Sequence, residues 1–307
     1  MRDENSNLNC GIVAIVGRPN VGKSSLLNYI IQEKVAIVSK VPQTTRFIVR
    51  GILNDKRGQV VFVDTPGLHL AKDRLGKYMN VTAKSAQEGV DLVLHLVDSS
   101  KPVGPEENMI AKNLAHIKTH LILGLNKIDL GAKFTTQYIE LYERIKGKPI
   151  AQLVDSITVL PLSSLKGTNV DKLLDVIFLK LPKSPAYYPP DITRDEPQNI
   201  YIADIIREKL FACMRQEVPH SLAVLVEEIK QRPNNLVYVK ASILIERDSQ
   251  RKIIIGKDGS VLKSAGTKAR QELEEYFSKK VYLDLSVKTQ EKWRQDPGVL
   301  KLLGYSP

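Results

Sequence analysis

GIVAIVGRPNVGKSS, residues 11–25, decides how the first half of the chain is read. An unbroken apolar run of strand length leads into a loop bounded by Gly17 and Gly22, and leucines at helical spacing follow. Strand, glycine loop and helix form the context that a phosphate-binding loop of the GxxxxGK[ST] type requires. The loop runs through Gly17, Arg18, Pro19, Asn20, Val21, Gly22, Lys23 and Ser24. Its glycines let the backbone curl so that N–H groups converge on a β-phosphate. Lys23 is placed to bridge β- and γ-phosphates, and Ser24 to ligate Mg²⁺.

Outward from this loop, apolar runs alternate with amphipathic stretches as far as residue 181. The further runs begin at Gln59 (QVVFVDTPG), Val90 (VDLVLHLVDSS), His120 (HLILGLNKID) and Ser156 (SITVLPLSS). Continuous Val/Ile/Leu strands suit a parallel sheet covered by helices on both faces. Residues 1–181 are therefore expected to form a doubly wound α/β domain, closed by the helix NVDKLLDVIFLKL. Residues 182–197 contain five prolines and read as an extended linker. From 198 to 307 the order becomes helix, two strands, two helices joined at a glycine turn, and a strand, a smaller α+β domain.

With 307 residues, 43% hydrophobic and 26% charged, the chain is long enough for two cores and is neither disordered nor fibrous. Its formal net charge of +11 and pI of about 9.4 favour an acidic partner, either nucleic acid or an anionic membrane surface. Cys10 and Cys213 alone make neither a disulfide framework nor a zinc site, and suit a reducing cytosol. The opening residues do not read as a signal peptide, and no apolar run approaches the about 18 residues of a membrane span. Peripheral membrane attachment stays open.

The later loops choose the nucleotide. Asn126, Lys127, Ile128 and Asp129 end an apolar strand, where ligands approach such a sheet. Asp129 can accept from guanine N1 and N2, a donor pair that adenine lacks, so GTP and GDP are expected. Together with the absence of an LSGGQ-like stretch, this disfavours an ABC-type ATPase. Ser163, Ser164 and Leu165 hold the matching place after the next strand and could offer a backbone N–H to the guanine oxygen. Asp64, Thr65, Pro66, Gly67 and Leu68 end another strand: Asp64 is expected to hold Mg²⁺ through water, and the Gly67 N–H to sense the γ-phosphate. Thr44 or Thr45 could close over the metal, and Thr45 is preferred. Lys23, Thr45 and Gly67 are thus candidate catalytic groups. His69 is a weak candidate base, His95 reads as a core residue, and His220 as a local turn residue.

In the second domain GKDG, Gly256, Lys257, Asp258 and Gly259, lies between two helices. Such a turn is the KH signature, a backbone clamp for about four single-stranded nucleotides. Net charge is +7 over residues 1–181 and +4 over 182–307, yet +5 within residues 247–270 alone, so basic charge gathers around the turn. Arg251, Lys252, Lys257 and Lys263 are expected to meet phosphates, with Ile253, Ile254, Ile255 and Val261 forming an apolar groove. Asp258 suits the cap of the following helix.

These motifs, with PQTTR, REKLFACMRQEVPHSLAV, IIIGKDG and the ending LLGY, resemble the translation-factor-related GTPases. The match to the Era-like family, which joins a G domain to a type II KH domain, covers essentially the full length. The resemblance implies a GTPase that binds the 3′ end of small-subunit 16S ribosomal RNA during assembly of the 30S subunit. It implies a cytoplasmic monomer, with peripheral contact at the inner face of the cell membrane left open. Leu68 stands where many small GTPases have a water-orienting glutamine. Relatives lacking that glutamine use a loop asparagine to help hold potassium, and Asn20 matches it, so the resemblance adds Asn20 to the candidate catalytic groups. A regulatory RNA-binding or membrane-associated switch with a non-ribosomal target is the other reading.

Overall fold

The computed structural model describes residues 8–39, 41, 44–68, 71, 73–214 and 221–305. The chain forms two compact units, the first taking the described residues of 1–36, 45–70 and 79–195, the second those of 37–44, 71–78 and 196–307.

The helices and strands over residues 11–195 are β1 (Gly11–Val16), α1 (Lys23–Ile31), β2 (Val49–Asp55), β3 (Gly58–Asp64), α2 (Arg74–Ser85), β4 (Leu92–Asp98), α3 (Pro105–Leu114), β5 (His120–Asn126), α4 (Thr135–Lys146), β6 (Ile157–Pro161), α5 (Val170–Lys180) and β7 (Arg194–Asp195). The sheet order is β6-β5-β4-β1-β3-β2-β7. Burial on both faces explains the unbroken apolar runs. Val13 and Ile15 of β1 join a core with Leu26 and Leu27 of α1 and Leu173 and Ile177 of α5. Ala14 and Val16 face a second core with Ile110 of α3 and Tyr138 and Leu141 of α4. Each buried Leu, Ile or Val contributes about 1.5–3 kcal/mol, so a charge at Leu94, wholly buried in β4, would break this layer.

A purely parallel sheet is not what forms. β1, β3, β4, β5 and β6 pair in parallel, but β2 runs antiparallel to β3, and β7 antiparallel to β2. β2 escapes an apolar-run reading because Arg50, Asn54 and Asp55 interrupt it, and its hairpin with β3 needs no crossover helix. The proline-rich stretch is extended and lies along this edge up to residue 195. Gln59 Oε1 accepts from Tyr187 N and Tyr188 N at 2.8 and 2.9 Å, and Ile52 N donates to Thr193 O at 2.8 Å.

The second unit contains α6 (Gln198–Cys213), β8 (Ala223–Arg232), β9 (Leu236–Ile245), α7 (Asp248–Ile255), α8 (Ser260–Phe277), β10 (Lys280–Thr289) and α9 (Pro297–Leu302). Its sheet order is β10-β9-β8, with β8 antiparallel and β10 parallel to β9. Ile202, Ile205 and Ile206 of α6 pack with Val239, Ile243, Ile254 and Leu273. The tail after β10 is tied down by Trp293, wholly buried, whose Nε1 donates to Ser221 O at 2.8 Å.

Candidate functional site

Asp64, Asp98, Asn126 and the glycine loop all stand at carboxyl ends of strands, around β1, which β3 and β4 flank on either side. Loops leave such a switch point in opposite directions and open a crevice for ligands. The glycines are required by close approach. A Cβ on Gly17 would lie 2.3 Å from the Leu96 carbonyl oxygen, and one on Gly67 would lie 2.6 Å from Pro19 N. Gly22, at φ 107°, has the left-handed backbone that side chains rarely adopt.

Lys23, only 6% exposed, folds back over the loop and donates through Nζ to Gly17 O and Arg18 O, both at 3.1 Å. Burial lowers the Lys23 ammonium to about 8, opposed by the Asp64 carboxylate and assisted by the Arg18 charge. Arg18 itself is drawn aside by its ion pair with buried Glu107. Ser24 Oγ donates to Asp64 Oδ2 at 2.6 Å and lies 3.0 Å from Thr45 Oγ1. Burial pushes the wholly buried Asp64 carboxyl up, against Lys23 and the Ser24 and Thr45 hydroxyls. Asp64 Oδ1 has no hydrogen-bond partner among the described residues. An orphaned carboxylate oxygen beside two hydroxyls is a donor set suited to a hard, oxygen-seeking cation such as Mg²⁺.

The two threonines separate here. Thr44 Oγ1 donates to Val41 O at 2.5 Å, whereas Thr45 faces Ser24. Arg207, to which the sequence assigns no role, donates from Nη2 to Thr44 O at 2.7 Å, and Glu208 Oε1 accepts from Val38 N at 3.0 Å. Both come from α6 and hold the backbone at Val38 and at Thr44. Of the DTPGL residues, Thr65 is buried and donates to Ile15 O at 3.0 Å, and Leu68 is buried in the core beside Ala14 and Val16.

Asn126 fastens three loops. Its Nδ2 donates to Val21 O at 2.7 Å, and its Oδ1 accepts from Ser164 N at 2.8 Å. Lys127 Nζ reaches Asn20 O at 2.7 Å and Asp98 Oδ2 at 2.8 Å. Burial of Asp98 raises its carboxyl, but hydrogen bonds from Lys127 and Ser100 outweigh it and hold the group below the usual range. Ile128 N donates to Leu162 O at 3.4 Å, and Ser163 Oγ donates to Asp129 Oδ1 at 2.5 Å. Since the Ser164 N–H is committed to Asn126, the Leu165 N–H is the better candidate for a guanine oxygen.

In the second unit α7 ends at Gly256, at φ 76°, and Asp258 and Gly259 are left-handed at φ 52° and 75°. The cap of α8 falls on Gly259 with no side-chain bond, so Asp258 does not cap that helix. A cleft of about 390 Å³ beside the turn is lined by Gly259, Leu262, Lys263 and Arg270 of the turn and α8, with Leu283 and Leu285 of β10 opposite. The apolar lining thus differs from the expected one: Ile254 is wholly buried in the core and Val261 packs against it, while Ile253 is exposed. Leu262, Lys263, Gly266 and Arg270 share a helical face, a spacing that could have marked this wall from sequence. Ile255 is half-buried and Lys252 exposed, whereas Arg251 is engaged with Val287 O at 2.9 Å and Thr289 Oγ1 at 3.1 Å. Lys257 is exposed on the turn.

His95 is buried in β4 with Nδ1 2.8 Å from the Tyr142 hydroxyl, and its Nε2 has no partner among the described residues. His69 and His220 lie outside the described residues. Among the described residues no cluster of three His, Cys, Asp or Glu could hold a metal, and no helix is long and apolar enough to cross a membrane.

Residues 12–127 match the family model described as 50S ribosome-binding GTPase, and residues 217–294 match the KH domain. A protein named GTPase Era from Heliobacterium modesticaldum is 44% identical, with 97% of each chain covered. Another of that name from Thermotoga maritima is 45% identical over 94% of each. Two solved structures match with TM-scores of 0.89 and 37% identity, covering 98% of this chain and all of theirs. One is an Aquifex aeolicus Era variant bound to GDP·AlF4⁻, the other an Era in complex with MgGDPNP and nucleotides 1506–1542 of 16S ribosomal RNA.

Proposed function

The chain belongs to the Era family of GTPases, and from that premise we propose that it binds the 3′ end of 16S ribosomal RNA and couples GTP binding and hydrolysis to maturation of the 30S subunit. The description of the G-domain model names the large subunit but reaches only residue 127. The solved relative carrying a 16S segment spans both units and supports the small-subunit reading.

The observation that carries the chemistry is the orphaned Asp64 Oδ1 beside the Ser24 and Thr45 hydroxyls, one loop from Lys23. Mg²⁺ fits there, held by Ser24, Thr45 and, through water, Asp64, and when bound it supplies positive charge to the β- and γ-phosphate oxygens. The chain does the rest. Lys23 leaves the carbonyls of Gly17 and Arg18 for phosphate oxygens, whose charge restores its ordinary basicity. The Gly67 N–H holds a γ-phosphate oxygen, and loop N–H groups between Gly17 and Ser24 hold the β-phosphate. Asp129, steadied by Ser163, accepts from guanine N1 and N2, and the Leu165 N–H donates to the guanine oxygen. Leu68, sealed in the core, cannot orient water, so potassium beside Asn20 is part of the proposal. Turnover that is indifferent to replacing potassium by sodium would remove that part.

In the second unit the Gly256–Gly259 turn lets an RNA backbone approach, with Lys257, Lys263 and neighbouring cations neutralising phosphates and the leucine-lined cleft taking bases. The protein works as a monomer in the cytoplasm, and its basic surface makes it competent for peripheral contact with anionic membrane. The test is crosslinking to RNA in cells, with sequencing of what is attached near Lys257. Reads at the 16S 3′ end are expected, while reads scattered over messages or transfer RNAs would defeat the assembly role and leave the GTPase intact.

A further inference from the structure

The sheet of the second unit has a face that the cleft does not use. Along β10, Val281 points into the core and Leu283 and Leu285 line the cleft, so the alternate residues point the other way. On that outer face Tyr282 is in register with Tyr238 of β9 and Lys230 of β8, and the next row holds Lys280, Leu236 and Arg232. Two tyrosines and three cations thus occupy two adjacent rows. The row beyond the tyrosines holds Asp284, Lys240 and Glu228, and Glu228 pairs with Lys230.

The aromatic groups are already stacked. Tyr238 and Tyr282 lie 5.9 Å apart at 19°, and the Arg232 guanidinium sits 3.9 Å from the centre of the Tyr238 ring. Tyr238 is nearly buried, its hydroxyl donating to Asp284 Oδ2 at 2.9 Å, whereas Tyr282 ends the stack and is 57% exposed. An exposed ring at the end of a stack, beside unburied cations, is the arrangement by which proteins hold single-stranded nucleic acid without reading sequence. β10 is the edge strand, so no further strand separates this face from the Gly256–Gly259 cleft.

The geometry points to a second RNA subsite: a nucleobase stacked on Tyr282, its phosphates drawn by Lys280 and Arg232, reached by the strand as it leaves the cleft around β10. This rests on the RNA reading of the cleft. The test uses the full chain with two single-stranded RNAs ending at the 16S 3′ terminus, one of about four nucleotides that fills the turn alone and one of about ten. Tyr282→Ala is expected to weaken the longer RNA about tenfold and to leave the shorter within about twofold, with Tyr282→Phe restoring the longer one. Unchanged affinity for the longer RNA, with only a lower melting temperature, would overturn the subsite and make the stack a sheet-stabilising device. Gly259→Asp, at the glycine of the turn where a side chain meets no atom within 4 Å, separates the two readings. If it abolishes binding of both RNAs while Tyr282→Ala does nothing, the clamp stands and the subsite falls. If it leaves the short RNA bound, the clamp reading fails and the subsite falls with it.

Discussion

The Gly17–Lys23 loop and the Gly256–Gly259 turn are both glycine-bounded, and they are built for opposite tasks. In the first, a Cβ at Gly17 or Gly22 would meet the Leu96 carbonyl or the Asn126 amide at 2.3 and 2.4 Å, and Lys23 is buried under the loop. In the second, a Cβ at Gly259 would meet nothing within 4 Å, and Lys257 stands in solvent. One turn is therefore closed around a preformed pocket whose walls are protein. The other is closed at Gly256 and open at Gly259, beside exposed Lys257. Glycine serves packing throughout the first loop; in the second, Gly256 is also packed, a Cβ there meeting Val261 N at 2.8 Å, and only Gly259 serves backbone conformation plus access.

Lys23→Met strikes the closed loop at its charge and carries the largest expected effect. Methionine fills the same volume but offers nothing to the charge that develops on the transferred phosphoryl group, so GTP turnover is expected to drop about 10²–10³-fold. RNA affinity measured with the nucleotide-free protein should not change. Single-turnover hydrolysis with saturating GTP checks this, and a loss below tenfold would mean that Lys23 stays on its loop carbonyls during the reaction.

Gly17→Ala tests the packing of the same loop. The added methyl meets backbone rather than a flexible side-chain end, and overpacking of this kind costs about 1–3 kcal/mol. The first unit is expected to melt several degrees lower, about 2–4 °C for each kcal/mol, and to lose GTP and GDP binding together. A variant that melts normally and still binds GDP would show that Leu96 yields.

How much of this was legible in the sequence depends on whether a residue acts through local pattern or through its neighbours. The strands β1, β3, β4 and β5 announce themselves because burial on both faces demands unbroken apolar runs, and the loops at their ends carry short motifs with fixed chemistry. β2 is covered less evenly and hides. The sequence already prefers Thr45 to Thr44, but the turn of Thr44 toward Val41 O, the commitment of the Ser164 N–H to Asn126, and Arg207 on Thr44 O are tertiary facts with no local signature. The cleft shows the same limit. An isoleucine run before the turn looked like its apolar wall, yet α7 buries Ile254 inward, and the wall comes from leucines on α8 and β10.

The contrast between closed and open surroundings also predicts a pH response in the first unit. Burial, with a smaller push from the Lys23 charge, lowers His95 to about 3. The unfolded chain, with an ordinary histidine near 6.5, therefore binds the proton first. The neutral-His95 contribution is fully present above pH 6.5 and is lost as pH falls toward 3, by up to about 1.4 kcal/mol per pH unit. Thermal unfolding of the wild type and His95→Leu at successive pH values between 7 and about 4.5 isolates this group, the variant being expected to show the shallower decline. Parallel curves would mean that the Tyr142 hydroxyl accommodates a charged ring.

Gly259→Ala is the smallest of these effects on stability, and it decides the comparison. No atom stands where its Cβ would go, so the cost is conformational only, about 1–2 kcal/mol for a left-handed non-glycine residue, the low end being expected because Asp258 already tolerates φ 52° next door. The first unit should keep its melting temperature and GTP turnover unchanged. RNA affinity should nonetheless fall about tenfold, because the methyl occupies the surface along which a ribose-phosphate chain must pass. An unfolding loss as large as that of Gly17→Ala would show that Gly259, like Gly256, is packed against protein. An unchanged RNA affinity would mean that the backbone passes the turn at a distance and that the glycine serves α8 rather than RNA.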